Sequence, residues 1–192
     1  MKLLVLTIVA VAATLTATAG LEPTISVVSR FTDRSLSSIV ATLAPSSTIT
    51  LSVADHPDAR WIEAEALRIV TNAGHSVVTT TAPTDVQLVI KDLSTRYEAH
   101  TETDSVDRVI TVAIEAIITA NGTRTTSTPP IERDRVVCTR AEAKAAESTQ
   151  HRATHAELPP APSSMWDDIV EPVIFVTAAV ATVVLLFTVR SK

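Results

Sequence analysis

Residues 108–120 constrain the fold most strongly, because apolar side chains alternate with other residues along this run. The residues that share one face of the extended chain are Ile110, Val112, Ile114, Ala116 and Ile118. Such alternation predicts a β-strand with one buried face. Asn121-Gly122 follows directly and favours the tight turn of a hairpin. Glu115 falls on the opposite face, where it marks the solvent side of the sheet rather than a general acid.

Two stretches have the apolar spacing of helices. The first stripe consists of Leu36, Ile39, Val40 and Leu43, with Thr32 or Asp33 as its N-cap. The second helix is predicted over about 57–73, with Asp55 as its cap and Gly74 as its stop. Its apolar face is formed by Ile62, Ala66, Ile69, Val70 and Ala73.

Shorter patterns complete the predicted elements. Strands are expected at Thr24–Ser29, 49–53, 75–80, 86–97 and 132–139, and a short helix at 140–150. Only 3% of the residues are aromatic, so the core has to be built from Val, Ile, Leu and Ala. Strands joined by short turns with few helices predict an α+β fold, a small, mainly antiparallel sheet packed by one or two helices.

The N-terminus has the features of a secretory signal peptide over residues 1–19. Lys2 supplies a positive charge, and the apolar run from Leu3 to Ala13 follows it. The small residues of Ala17-Thr18-Ala19 predict cleavage before Gly20. An uncleaved membrane anchor is the alternative interpretation. The segment predicts that the domain over residues 20–150 lies outside the cytoplasm.

The C-terminus predicts a transmembrane helix over residues 172–189, which contain no charged side chain. Arg190 and Lys192 follow this run, so the tail 190–192 is expected in the cytoplasm. A buried core helix is the alternative. Residues 151–171, rich in proline, are expected to form a stalk between domain and membrane. The predicted location is therefore the bacterial inner membrane, with a single pass and a periplasmic N-terminal domain.

Charge limits the class of partner. All 21 acidic residues but only 13 of the 16 basic ones lie in 20–172, which gives this part a net charge of −8. Such a surface is a poor partner for nucleic acid or anionic lipid headgroups. The expected partners are the lipid bilayer through residues 172–189 and other envelope proteins.

Candidate chemical residues are few. His151 and His155 have the spacing of helical metal ligands, but Arg152 stands where a metalloprotease has its glutamate. Asp55-His56 lie before a helix N-terminus, where an anion can bind, although capping by Asp55 beside an exposed His56 explains them as well. No phosphate-binding, dinucleotide-binding or nucleophile-elbow motif is present. We therefore predict no catalytic, cofactor-binding or metal-binding residue.

Cys138 is the only cysteine, so an internal disulfide is excluded. It is expected to be a small buried apolar residue of a strand, with an intermolecular disulfide as the alternative. The shortage of cysteine favours a bacterial envelope protein over a eukaryotic secreted one. Asn121-Gly122-Thr123 also matches a glycosylation sequon, which matters only in a eukaryotic protein; in a bacterial one it is a hairpin turn.

One stretch resembles a known class of proteins. The helix that ends at Gly74-His75, the short strand after it and the run Thr84-Asp85-Val86-Gln87-Leu88-Val89-Ile90 resemble lipopolysaccharide-assembly and curli-secretion lipoproteins. The resemblance covers about residues 47–120. It implies a small α+β domain without catalytic residues. The lipidated cysteine of those proteins is absent here.

Three functions follow as hypotheses. The first is a non-enzymatic, membrane-anchored accessory or assembly subunit of a transport or envelope complex. The second is a ligand-binding sensor or carrier. An apolar cavity between helix and sheet would favour it, and a solid Val/Ile core would count against it. The third is a hydrolase, which would need Asp, His and Ser side chains clustered in a cleft.

Overall fold

The structure is a computed structural model that describes residues 20–102, 104–161, 170 and 172–182. The helices of its folded part are α1 (Thr24–Val40), α2 (Ala59–Asn72) and α3 (Arg140–Ala145). The strands are β1 (Thr48–Val53), β2 (Ser76–Val77), β3 (Thr84–Ala99), β4 (Ser105–Ala120), β5 (Thr123–Ser127) and β6 (Glu132–Thr139). A short 3₁₀ turn, Arg152–Thr154, follows α3.

The six strands form one mixed sheet in the order β2-β1-β3-β4-β5, with β6 also paired to β4. β1 is parallel to both β2 and β3, whereas β4 is antiparallel to β3, β5 and β6. The sequence predicted a mainly antiparallel sheet, and this is wrong for β1, which is parallel to both of its neighbours. The reason is that α2 carries the chain from β1 back to the same end of the sheet, which makes β2 parallel to β1.

The helices pack on one side of the sheet, here called the covered face. The alternating apolar residues of β4 point to this side and form one cluster with apolar residues of α1 and α2. The members at 0% exposure are Val27, Val28, Ile49, Ile62, Ile110, Val112 and Ala116. As the scarcity of aromatics requires, the core is almost entirely aliphatic.

The first helix is longer than the sequence predicted. Thr24–Ser29, expected as a strand, is the beginning of α1, and Thr32 and Asp33 lie inside this helix rather than at its cap. Burial of Thr24, Val27, Val28 and Phe31 follows helical spacing. Contact with the sheet along that stripe therefore outweighs the strand preference of β-branched residues.

The β4–β5 hairpin has the two-residue loop that Asn121-Gly122 predicted. Ala120 pairs with Thr123, and the loop residues have φ angles of 50° and 76°. Two consecutive positive φ values are the signature of a type I′ turn, whose twist matches that of antiparallel strands.

Substitution of Gly122 by alanine is expected to lower the free energy of unfolding by about 1–2 kcal/mol, because an L side chain is strained at positive φ. No atom lies within 4 Å of a Cβ placed there, so the cost comes from the backbone alone. Urea denaturation measures the change. Gly20→Ala, at a position with open space and no positive φ, is the control and should be nearly neutral.

Residues 148–160 pack on the domain instead of standing apart from it. Ala153 is 2% exposed and belongs to the main core, while Ala156 and Leu158 contact a second cluster around Tyr97 and Cys138. Arg140 donates to the carbonyls of Pro159 and Pro160 at 2.8 and 3.0 Å. We call residues 148–160 the strap. The sequence predicted a stalk over residues 151–171. The structure describes this segment up to residue 161, and residues 151–160 belong to the strap.

The predicted transmembrane helix over 172–189 is corrected. Within the described residues, no helix is long and apolar enough to cross a membrane. The predicted signal peptide, 1–19, and the predicted tail, 190–192, lie outside the described residues.

Candidate functional site

The side of the sheet opposite the helices is here called the open face, and among the described residues α1, α2 and α3 all pack on the other side. Cross-strand partners place alternate residues of β3, β4, β5 and β6 on the open face, and a bulge between Ile90 and Asp92 shifts the alternation within β3. The central residues of the open face are Val89, Arg96, Ala113, Glu115, Ile117 and Arg135. The side chains of these six residues are exposed or half-buried, so charged groups and apolar spots face outward. Asp107, Val109 and Thr111, which share this face along β4, are buried.

Ion pairs run across the open face. Lys91 pairs with Glu115 at 3.2 Å, as expected for a glutamate on the solvent side of the sheet. Near one end of β4, Arg135 reaches both Asp107 at 2.8 Å and Glu98 at 2.9 Å. The hydrogen bond from Arg135 holds the pKa of the Asp107 carboxyl below its usual value. The surface therefore presents acidic and basic groups close together rather than a patch of one sign.

Loss of the Asp107 charge is expected to destabilise the protein above about pH 4, the ordinary pKa of an aspartate. Because its pKa in the folded state is lowered, its contribution is complete above the unfolded-state pKa and is lost as the pH falls through the folded-state pKa. Urea denaturation of the wild type and Asp107→Asn between pH 7 and pH 2 should give a difference that shrinks with acid. A constant difference would contradict the ionic explanation, and Arg135→Gln should reproduce the effect.

The edges of the sheet are poor templates for an added strand. β2, at one edge, is two residues long. The other edge is divided between β5 and β6, which carry Arg124, Arg133 and Arg135 and are separated by Pro129-Pro130. Short strands, charges and prolines blunt a sheet edge. Binding through the face of the sheet fits this chain better than binding through its edges.

A cleft of about 570 Å³ lies between the C-terminal ends of α1 and α2. Its lining includes Asp33, Ser37 and His75. These are the three residue types that a hydrolase would need. Asp33, however, is bound to Arg68 at 2.6 Å. The Nδ1 atom of His75 accepts hydrogen bonds from the backbone N–H of Ser47 at 3.3 Å and from its Oγ at 2.9 Å. These bonds join the starts of β1 and β2, which is a structural role.

The histidines considered from the sequence do not form a metal site. His151 stacks on Trp61 with ring centroids 4.8 Å apart, and the Nδ1 atom of His155 contacts the His151 carbonyl at 3.2 Å. The Nδ1 atom of His56 accepts from the backbone N–H of Asp58 within its own turn. No group of three or more His, Cys, Asp or Glu residues in the described part of the chain could hold a metal ion.

Asp58, which the sequence did not single out, connects two distant parts of the chain. It is the N-cap residue of α2, in place of the predicted Asp55, but its carboxylate does not cap the helix. Oδ1 accepts from the backbone N–H of Arg152 and Oδ2 from that of Ala153, both at 3.2 Å. Asp58 thus fixes the strap to the domain.

A second cleft, of about 410 Å³, lies beside the N-terminus of α1. Cys138 and Arg108 line it from the sheet. Cys138 is a buried free thiol whose pKa is raised by burial, in agreement with its expected apolar role. Arg108 is 1% exposed. A signal for Arg108 existed in the sequence, because it shares the parity of Ile110 and so falls on the apolar face of β4.

The interface between helices and sheet is nearly solid. A cavity between α1, α2, β1 and β3 has about 10 Å³ of free volume and is lined by Leu36, Val70, Leu88 and other aliphatic side chains. A space of that size barely admits one water molecule. This cavity between the helices and the sheet is therefore too small for a small-molecule ligand.

No family model matches this chain, and no curated protein matches it. Solved structures do match. Lipoprotein GNA1162 from Neisseria meningitidis has 11% identity and a TM-score of 0.33, over 69% of this chain and 99% of that one. A minor lipoprotein from Acinetobacter baumannii has 10% identity and a TM-score of 0.34, over 50% and 67% of the two chains. A DUF330 protein from Xanthomonas campestris has 11% identity and a TM-score of 0.34, over 54% and 75%.

Two of these three neighbours are bacterial lipoproteins, which is the broad class that residues 47–120 resemble. The similarity does not identify a particular assembly pathway. At these TM-scores it carries no argument about what this chain does, so the function is argued below from the described residues.

Proposed function

We propose that this chain is a non-enzymatic protein of the bacterial envelope that acts by binding other proteins, as an accessory or assembly subunit. The observation that supports this most is the open face, a sheet surface whose exposed and half-buried side chains have no described element packed on them. Its ion pairs alternate with apolar positions such as Val89 and Ile117. A surface of mixed polar and apolar groups has the composition that non-obligate protein interfaces share with protein surfaces in general.

The site chemistry supports binding rather than catalysis. In the cleft between α1 and α2, Asp33 and His75 are engaged with Arg68 and Ser47. A general base needs an aligned nucleophile and an orienting partner, and the described contacts of His75 serve the ends of two strands instead. The predicted signal peptide supports a location outside the cytoplasm.

A sensor or carrier that holds a ligand between helix and sheet is the alternative function. It would need a cavity in the range of about 300–1,000 Å³. The described space there is about 10 Å³. The aliphatic packing between helix and sheet counts against this version of the alternative.

The experiment that tests the proposal is site-specific photo-crosslinking in cells. A photoreactive amino acid replaces Ile117 on the open face, and in a matched strain it replaces Leu67, which is 46% exposed on α2. Both positions are apolar in the native chain, so they differ mainly in the surface on which they lie. We expect discrete adducts with envelope proteins from position 117, identified by mass spectrometry after purification from membranes.

Two results would count against the proposal. Equal adducts from positions 117 and 67 would show no preference for the open face. Recovery of the protein alone from both positions, at normal expression, would remove the accessory role. Loss of the adduct in Arg135→Glu, which reverses a charge on the same face, is the additional result that the proposal requires.

A further inference from the structure

Two segments rich in threonine and proline lie at the same end of the sheet. Residues 79–84, which lead from β2 into β3, contain four threonines and one proline, and residues 123–130 contain four threonines, one serine and two prolines. The two segments carry a single charge between them, on one arginine. Ala120 of β4 pairs with Thr84 on one side and with Thr123 on the other, so these two threonines lie about 10 Å apart. We call the two segments together the threonine-rich end.

The hydroxyl groups of the threonine-rich end are open to solvent. Residues 79–81 are exposed in an irregular loop, and residues 123–126 are exposed although they belong to a strand. Among the described contacts, the threonines of both segments donate one side-chain hydrogen bond to the protein, from Thr125 Oγ1 to the Ile118 carbonyl at 3.4 Å. These oxygens therefore have room for a bulky attached group.

Ordinary structural preferences explain only part of this pattern. Threonine suits a strand, which accounts for β5. Residues 79–81 lie in a loop, where glycine, asparagine, aspartate, serine and proline are the usual residues. Runs of threonine and serine beside proline are the composition of O-glycosylated segments. Both segments have this composition, and they reach the same end of the sheet from separate parts of the sequence.

We propose that the threonine-rich end is a site of O-glycosylation, with its acceptor threonines in residues 79–81 and 125–128. A glycosyltransferase of the envelope joins C1 of a sugar to the threonine Oγ1, and the bond between C1 and the phosphate of a polyprenyl-phosphate sugar breaks. The hydroxyl proton passes to a base of the transferase, and the polyprenyl phosphate leaves with the bonding electrons. The inference rests on the location outside the cytoplasm in the proposed function, but not on partner binding through the open face.

Sugars at this end protect the free edge of β5. This strand lies at an edge of the sheet and consists of one arginine and four threonine or serine residues. Its threonines favour strand pairing, and Pro129-Pro130 follow only after the strand has ended. Attached sugars are bulky and solubilising, and they keep a strand of another chain from pairing there. The modification adds to the protection that charge and proline give to this edge.

Peptide mapping of the native protein tests the proposal. The full chain is purified from the cells that produce it and digested with trypsin, which releases residues 69–91 and residues 125–133 as single peptides. We expect mass additions of whole hexose units on both peptides. The same chain expressed without residues 1–19 is expected to stay in the cytoplasm, away from lipid-linked sugar donors, and should have neither addition.

The first of these peptides contains its own control. Thr71 and Ser76 are exposed, but Thr71 lies in α2 and Ser76 in β2, away from proline. Fragmentation by electron transfer should place the sugars on residues 79–81 and leave both controls unmodified. Unmodified peptides from a chain cleaved before Gly20 would overturn the proposal and leave the proposed function intact. Phosphate-sized additions, or sugars placed equally on Thr71 and Ser76, would overturn it as well.

Valine substitutions provide a second measurement, because valine keeps the branched shape of threonine and lacks the acceptor oxygen. The triple variant Thr79→Val, Thr80→Val and Thr81→Val should lose the additions on residues 69–91 and keep those on the other peptide. Thr71→Val, the matched control, should leave both peptides modified. Retention of the full sugar mass in the triple variant would contradict the assignment. The map of the wild type decides the question even where the triple variant fails to fold.

Discussion

Ile62→Ala is expected to lower the free energy of unfolding by about 2–5 kcal/mol, the usual cost of removing a large buried aliphatic side chain. Ile62 is 0% exposed and lies where α2 contacts the sheet. Ile62 belongs to the main aliphatic cluster, so its truncation removes buried contacts and leaves a cavity in the core. Urea denaturation followed by circular dichroism gives the change from the transition midpoint and slope.

Leu67→Ala on the same helix is the matched control. Leu67 is 46% exposed, so its truncation should change the free energy of unfolding by about 0.5 kcal/mol or less. Both variants lie on α2, and Ile→Ala gains slightly more helix propensity than Leu→Ala, so propensity alone would make the Ile62 variant the less destabilised one. Similar losses in both would mean that the helix–sheet interface is not the core of this domain.

Asp58→Ala is expected to cost about 2–4 kcal/mol, because it leaves two backbone N–H groups of the strap without an acceptor. The backbone N–H groups of Arg152 and Ala153 both donate to the Asp58 carboxylate, and Ala153 is buried. Amide hydrogen exchange should therefore accelerate at 152 and 153 more than in the centre of β4. Urea denaturation measures the total effect.

Asp55→Ala separates this role from ordinary helix capping. Asp55 is exposed and precedes α2, and the sequence pattern favoured it as the cap. Its removal should leave exchange at 152 and 153 unchanged. A larger effect from Asp55 than from Asp58 would show that capping, and not attachment of the strap, dominates at this helix end.

The parts of the fold that were predictable depend on local patterns. The alternation in β4 and the Asn-Gly turn after it are properties of neighbouring residues, and both have their expected structure. The start of α1 was not predictable in the same way. Thr24, Ile25, Val27 and Val28 have the local preferences of a strand, and only their contact with the sheet makes the helical spacing favourable.

The site features that the sequence missed depend on contacts between distant residues. Asp58 binds backbone groups 94 and 95 positions further along the chain, a distance at which no local pattern can indicate a partner. Arg108 bonds to residues 84 and 86 positions earlier. Its parity within β4 could have identified it as buried, but not the helix end that it meets.

The strap makes the core depend on almost the whole length of the described chain. Ala153 enters the same cluster as Val27, so the first and last contributions to this core are separated by more than a hundred residues. Closure of so long a loop is slow and comes late in folding. During synthesis or export, the earlier elements would therefore expose part of their apolar surface until the strap docks. A chaperone or a protease would compete for the protein at this stage.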